Sequence, residues 1–162
     1  MLLALADEYP AMRFRGDGEF SGGPILGYSL RMRPIPFYTP GEYVFHFSGM
    51  PDEEMTFWLE AEGKNRNDES ALRVKTLMEE VLTNQKGQIC RADGPPLERG
   101  QSDHGWDLVL AGEEAGYWNW DCGLVLFKPS ESYTLTLRIR EVDPRTPKVN
   151  LIPLFRSRGP YS

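Results

Sequence analysis

The stretch that decides the fold is Tyr133-Thr134-Leu135-Thr136-Leu137-Arg138-Ile139-Arg140, in which every second residue is apolar. Successive side chains of a β-strand point to opposite faces, so this alternation predicts a strand with one buried and one polar face. Residues 26–33, 43–47 and 55–62 alternate in the same way. We expect 43–47 and 55–62 to be neighbouring antiparallel strands, because turn residues join them.

The rest of the chain favours more strands over helices. Residues 72–82 are ambiguous, since their apolar spacing suits a strand or one short helix near 75–82; we favour a strand that runs into a turn at 84–87. Pro153 in the last apolar run predicts an edge strand or a bulge there. Shorter apolar runs bring the total to eight to ten strands, and they lie at 88–92, 106–110, 123–127 and 149–155.

The predicted architecture is all-β. A length of 162 residues fits one domain, so we expect a single antiparallel two-sheet β-sandwich over residues 1–162. A closed barrel is the alternative. Residues 127–137 carry a Pro/Ser loop into a Tyr-x-Leu-x-Leu strand, with a polar turn and a final apolar strand after it. In this the chain resembles jelly-roll binding and accessory domains of the galactose-binding-like kind. The resemblance implies a jelly-roll-like fold and transfers no site residue.

Charge and apolar content exclude some classes of protein. The net charge of −6 argues against a nucleic-acid partner, which would select a basic surface. The longest apolar runs fall well short of the roughly 18 residues of a transmembrane helix. Residues 1–10 begin with a short apolar run, which predicts an N-terminal arm or the remnant of a signal peptide. The localisation that this favours is periplasmic or extracellular.

The chain has two cysteines, Cys90 and Cys122, at a spacing that matches no metal or redox motif. They are the candidate disulfide, and two unrelated buried thiols are the alternative. A bond between them would close a loop of about 33 residues and contribute roughly 3–4 kcal/mol. It would also require an oxidising compartment.

Aromatic, acidic and amide residues gather where the alternation lapses, between residues 94 and 121. The predicted ligand-binding residues are Trp106, Asp107, Tyr117, Trp118, Trp120 and Asp121. Rings stack on sugar faces and carboxylates accept hydrogen bonds from hydroxyl groups, so this composition is typical of a carbohydrate-binding surface. Because large aromatic side chains are mostly buried, the alternative is that the tryptophans fill the core or cap one end of the sandwich.

Catalytic and metal-binding patterns in the sequence are weak. Ser102-Asp103-His104 puts the residue types of a triad side by side, but a triad is defined by geometry in space. The other histidine, His46, lies between Phe45 and Phe47, which predicts an ordinary histidine on the polar face of its strand. The acidic residues of 103–121 lack the spacing of a calcium loop. We therefore predict no metal site and no cofactor.

Four arginines follow the polar faces of two predicted strands: Arg31, Arg33, Arg138 and Arg140. In one shared sheet they would form an anion-binding face. The acidic balance of the chain favours the alternative, in which they pair across strands with Glu60, Glu62 or Glu141.

The function that these patterns favour is a non-enzymatic binding module, which presents loops or a sheet face to a carbohydrate or protein partner. A carbohydrate-active hydrolase with paired carboxylates is the second hypothesis, and a structural envelope or assembly component is the third. A deep pocket with two close carboxylates, or a histidine and nucleophile pair at hydrogen-bond distance, would refute the first. An exposed edge strand around Pro153 would favour the third.

Overall fold

The computed structural model describes residues 13–62, 71–74, 76–93, 108–111, 114–116 and 124–157, with backbone alone at 71–74, 92–93, 108–111 and 114–116. These residues form strands and turns, and they contain no helix. The strands are β1 (Arg15–Gly16), β2 (Glu19–Gly23), β3 (Gly27–Arg31), β4 (Ile35–Pro36), β5 (Gly41–Ser48), β6 (Glu54–Ala61), β7 (Ala71–Val74), β8 (Leu77–Asn84), β9 (Gly87–Asp93), β10 (Leu108–Ala111), β11 (Glu114–Gly116), β12 (Leu124–Leu126), β13 (Ser132–Glu141) and β14 (Asn150–Arg156). Accordingly, none of the described segments is a helix long and apolar enough to span a membrane.

The strands form two antiparallel sheets. The first sheet has the order β1-β5-β13-β8-β9. The second has the order β2-β3-β14-β6-β11-β10-β7, with β4 paired to β14 and β12 paired to β6. The predicted all-β, two-sheet antiparallel sandwich is therefore confirmed, while its jelly-roll topology stays a prediction.

The core lies between the sheets, and β13 supplies its centre. Tyr133, Leu135, Leu137 and Ile139 are all buried, as the alternation predicts. Burying a large apolar side chain fully contributes about 1.5–3 kcal/mol each, so such rows outweigh any single hydrogen bond in holding the sheets together. A cluster of aromatic rings joins the two sheets, and its members are Phe47, Phe57, Phe127, Tyr133 and Phe155.

The expectation that 43–47 and 55–62 are neighbouring strands was wrong. Strand β5 pairs with β13 and β1, whereas β6 pairs with β14, β11 and β12 in the other sheet. The connection between them carries the chain from one sheet to the other, and Met50 is fully buried within it. Gly49 starts this connection at φ +71°, where a Cβ would lie 2.1 Å from the carbonyl oxygen of Arg13. Glycine tolerates both constraints.

The strand favoured in the ambiguous segment is confirmed, and the alternative of a short helix near 75–82 was wrong, because residues 77–84 form strand β8. Both edges of β8 are hydrogen-bonded, to β13 and to β9, and this pairing overrides the helical spacing of its apolar residues. Met78 and Leu82 reach the core as strand residues. The predicted turn at 84–87 is confirmed, with residues 85 and 86 between the strands and Gly87 opening β9 at φ +127°.

Strand β14 is interior, so the edge or bulge predicted from Pro153 was wrong. It lies between β6 on one side and β3 and β4 on the other, in unbroken register with β6. Pro153 faces the interruption between β3 and β4, where its carbonyl oxygen accepts a hydrogen bond from the backbone N–H of Met32 at 2.8 Å. The missing N–H of proline is tolerated there because no continuous neighbouring strand needs it.

Candidate functional site

The aromatic and acidic residues predicted to bind a ligand all lie outside the described side chains. They are Trp106, Asp107, Tyr117, Trp118, Trp120 and Asp121. That surface therefore stays a prediction. The fourth tryptophan, Trp58, is half-buried on β6, with the guanidinium of Arg156 at 4.8 Å from its ring.

In the described part of the chain, an open groove of about 360 Å³ lies on the outer face of the first sheet. It occupies the end of the sheet where β1, β5, β13 and the β8–β9 turn meet. Most of its lining residues carry a polar group, and they are Arg15, Gly16, His46, Phe47, Ser48, Asn84, Gln85, Ser132, Tyr133 and Thr134.

The antiparallel register places the polar side chains of the groove in two cross-strand rows. Arg15, Ser48 and Ser132 are register partners, and His46 and Thr134 are partners in the row above. These positions alternate with the buried residues of β5 and β13, which puts them on the outer face. His46 is exposed, so the prediction that it lies on the polar face of its strand is confirmed.

The chain after β1 is held tightly across β5. The backbone N–H of Asp17 donates to the carbonyl oxygen of His46 at 2.7 Å, and the N–H of His46 donates to Asp17 Oδ2 at 2.8 Å. Gly16, which precedes Asp17, has φ +121°, and a Cβ there would clash with the carbonyl oxygen of His46. One wall of the groove thus depends on a glycine and a carboxylate.

The opposite wall is fixed by the turn between β8 and β9. Gln85 Oε1 accepts a hydrogen bond from the backbone N–H of Ser132 at 3.1 Å. Asn84 donates to Glu131 at 3.2 Å, and the same carboxylate oxygen accepts from the hydroxyl of Tyr133 at 3.0 Å. Burial raises the pKa of Tyr133 to about 12. Its ring packs inside while its hydroxyl group anchors this wall.

His46 and Thr134 form the contact in the groove that could be chemically active. Nδ1 of His46 lies 3.0 Å from Oγ1 of Thr134. A histidine bonded to a nucleophile is evidence for a hydrolase and against a binding module, so this pair bears directly on the choice between the two. A catalytic triad also needs a third group that orients the imidazole. The nearby carboxylate of Asp17 instead accepts from the backbone N–H of His46. The described groove therefore offers a hydrogen-bonding pair without the rest of a triad.

The far end of the same sheet face is charged. Glu79 on β8 is only 8% exposed and accepts hydrogen bonds from Arg91, Arg138 and Arg140 at 2.8–3.2 Å. Arg138 also pairs with Glu42 at 2.8 Å. These carboxylates balance much of the positive charge, because each guanidinium already donates to at least one of them.

The anion-binding face proposed for the four arginines is therefore not formed. Arg31 lies in the other sheet, where it pairs with Glu60 at 2.8 Å, and the guanidinium of Arg33 lies 4.4 Å from the ring centre of Phe45. The cross-strand pairing alternative is correct for Glu60. Glu42 and Glu79 were missed as partners.

Two further features of the described residues are the metal-ligating residue types and the cysteines. The described side chains include no group of three or more His, Cys, Asp or Glu residues that could hold a metal ion. Cys90 lies on β9, partly buried against the core, and no described cysteine is a free thiol. Cys122 lies outside the described residues, so the pairing of the two cysteines stays a prediction.

Sequence reasoning did not find the groove, because its walls come from distant segments. Alternation correctly placed His46 on an outer face, but nothing in the sequence indicated that Arg15 or Gln85 would lie beside it. The paired hydroxyl residues at the start of β13 were the one available signal, since hydroxyl side chains on an outer face suit hydrogen bonding to a ligand.

No family model, curated protein or solved structure matches this chain.

Proposed function

We propose that this protein is a non-enzymatic binding module and that the groove on its first sheet holds a saccharide. The observation that carries the proposal is the chemistry of the lining: three aliphatic hydroxyl groups, an imidazole, two amides and a guanidinium on one open face. Sugar hydroxyls donate and accept hydrogen bonds, and the lining offers both roles. The groove volume of about 360 Å³ falls near the lower end of the range for small-molecule sites, about 300–1,000 Å³.

A small polar ligand suits this groove better than a protein partner does. Protein interfaces concentrate their binding energy in buried aromatic and arginine anchors. The aromatic residues that line the groove, Phe47 and Tyr133, are both buried in the core. A rigid floor of paired strands keeps the hydroxyl groups in place before the ligand arrives, which lowers the entropic cost of binding.

The two other hypotheses have narrower support. The contact between His46 and Thr134 favours a hydrolase to the extent that a histidine can activate a hydroxyl group. A structural or assembly role draws on exposed apolar side chains, which in the described part of the chain are Ile89 and two pairs, Ile25 with Leu26 and Leu124 with Leu126. Each pair is small beside the apolar patches that mark stable interfaces.

The test is an NMR titration of the intact protein with a panel of free mono- and oligosaccharides. At least one saccharide should shift the backbone amide signals of Ser48, Ser132 and Thr134. Thr134→Val removes one hydroxyl group and should weaken binding about fivefold, since a neutral hydrogen bond contributes about 1 kcal/mol.

Thr136→Val is the matched control, because Thr136 lies on the same outer face of β13 but does not line the groove. It should leave the affinity unchanged. Shifts confined to other surfaces, or equal effects of the two variants, would reject the groove as the site. Cleavage of a bound saccharide that is lost in His46→Ala would replace the binding module with the hydrolase.

A further inference from the structure

Two adjacent glutamates on β8 occupy opposite environments. Glu79 is on the outer face among three arginines, whereas Glu80 points between the sheets and is 0% exposed. Neither carboxyl oxygen of Glu80 has a hydrogen-bond partner in the described part of the chain. Buried polar groups are nearly always hydrogen-bonded, and a buried charge without a partner is strongly unfavourable, so this side chain requires an explanation.

The surroundings of Glu80 on its own sheet are apolar. Its register partners are Leu137 on β13 and Ala92 on β9, and its neighbours on the inner face of β8 are Met78 and Leu82. Among the charged side chains that the structure describes on these strands, Glu79, Arg91, Arg138 and Arg140 are held on the outer face by their mutual ion pairs, and Glu141 is exposed.

The other described strands also turn apolar residues inward. Strand β6 buries Met55, Phe57, Leu59 and Ala61 and places Glu60 outside, where it pairs with Arg31. On β5 the nearest titratable group in the same row is Tyr43, which Leu137 separates from Glu80. On β9 the titratable type nearest the core is Cys90, which is not a free thiol. Outside these strands, the guanidinium of Arg33 lies over the ring of Phe45, and the buried Asp143 pairs with Arg145. No described side chain donates a hydrogen bond to either carboxyl oxygen of Glu80.

We propose that Glu80 is a built-in pH sensor: the folded domain holds it as a neutral carboxylic acid, and its ionisation releases the β8–β9 hairpin from the core. The hairpin is the element to move, because β9 is the outermost strand of the first sheet and β8 carries the carboxyl group. Releasing it would hydrate the ionised carboxylate. The inference does not rest on the proposed function, although release of the hairpin would also displace Asn84 and Gln85, which form one wall of the groove.

The direction of the pH effect follows from the proton balance. Burial raises the pKa of Glu80 well above its ordinary range. The unfolded chain releases this proton above a pH of about 4.3, while the folded chain keeps it. The stability that Glu80 contributes is therefore present in full below that pH and is lost as the pH rises through the folded pKa. Across that window the unfolding equilibrium constant rises by up to about tenfold per pH unit.

The experiment is urea denaturation of the intact protein at pH values from 5 to 9, with Glu80→Gln and Glu54→Gln beside the wild type. Glutamine keeps the shape of the side chain without an ionisable proton, and Glu54 is an exposed carboxylate at the start of β6. The wild type and Glu54→Gln should lose stability as the pH rises, and Glu80→Gln should lose clearly less. Parallel curves for all three proteins would overturn the proposal.

Infrared spectroscopy of the wild type keeps the test decisive if Glu80→Gln does not fold. At pH 7 the folded protein should show the band of a protonated carboxylic acid, and the band should disappear on unfolding in urea at the same pH. Hydrogen exchange should then show β8 and β9 losing protection before β13 as the pH rises. Absence of the band, or loss of protection in all strands together, would refute the sensor.

Discussion

The aromatic contact between Phe47 and Phe127 is the sharpest test of how the two sheets pack. Phe47 lies on β5 of the first sheet and Phe127 directly follows β12 of the second, with ring centres 5.8 Å apart at an interplanar angle of 63°. Both side chains are almost fully buried. Phe127 also meets Tyr133 at 4.9 Å and Phe155 at 5.1 Å, both edge to face. Each such pair contributes about 0.5–1.5 kcal/mol beyond burial.

We expect Phe127→Leu to lower the free energy of unfolding by about 2–4 kcal/mol, because it removes three ring contacts and leaves most of the apolar volume. Phe47→Leu should have a similar effect. The double variant should lose less stability than the sum of the two single losses, by about 0.5–1.5 kcal/mol. This difference is the coupling between rings in opposite sheets. Urea denaturation of the four proteins at one pH measures this coupling.

Phe20 supplies the control for the cycle. It stacks with Phe14 at 5.4 Å and Tyr28 at 5.7 Å, at the β2–β3 side of the second sheet. The combination of Phe20→Leu with Phe127→Leu should be additive to within about 0.5 kcal/mol. Equally small coupling for Phe47 and Phe127 would mean that the sheets do not meet through this cluster, and the packing argued above would be wrong.

Three further predictions concern charged and polar groups. Because burial raises the pKa of Tyr133 to about 12, the stability from its neutral phenol should persist below about pH 10 and be lost as the pH rises through 12. An ultraviolet titration should show a late-ionising tyrosine that Tyr133→Phe removes, while Tyr28, whose pKa burial also raises, still ionises late in that variant. Glu79→Gln should lower the free energy of unfolding, measured by urea denaturation, by about 1–3 kcal/mol. This is less than the loss expected on breaking a fully buried ion pair, because the arginines are nearly half exposed. A loss no larger than that of Glu42→Gln would contradict the central role of Glu79. Mass spectrometry of a non-reduced digest should find Cys90 linked to Cys122, with reduction costing roughly 3–4 kcal/mol; two free thiols in fresh protein would remove the disulfide.

Alternation identifies the buried face of a strand, but it cannot say which strand lies beside it. This is why β13 matched its prediction residue by residue, while β5 and β6 were wrongly expected to pair. Two strands with one apolar face each are equally compatible with adjacent places in one sheet and with facing places in two. The choice is made by the connection after Gly49 and by contacts with β13 and β14, which are remote in the chain.

Strand β8 shows where local preference and tertiary structure disagree. A helix, which the apolar spacing of these residues also suits, would have placed Glu79 and Glu80 together on a solvated face. Pairing on both edges instead places Glu80 in the core. Such conflicts between local and global preference are expected at strained or functional positions rather than in ordinary structure.

The outer face of the first sheet has a hydroxyl end and a charged end, and a ligand should bind at the hydroxyl end. Thr134 and Arg138 are four residues apart on β13, which separates the two ends by about 13 Å. At the charged end the donors of Arg138 and Arg140 already meet Glu42 and Glu79, so an arriving anion must compete with carboxylates held in place. At the other end the groups are uncharged hydroxyls, of which Thr134 already contacts His46 Nδ1, and replacing water or that contact by a ligand hydroxyl leaves no charge without a partner.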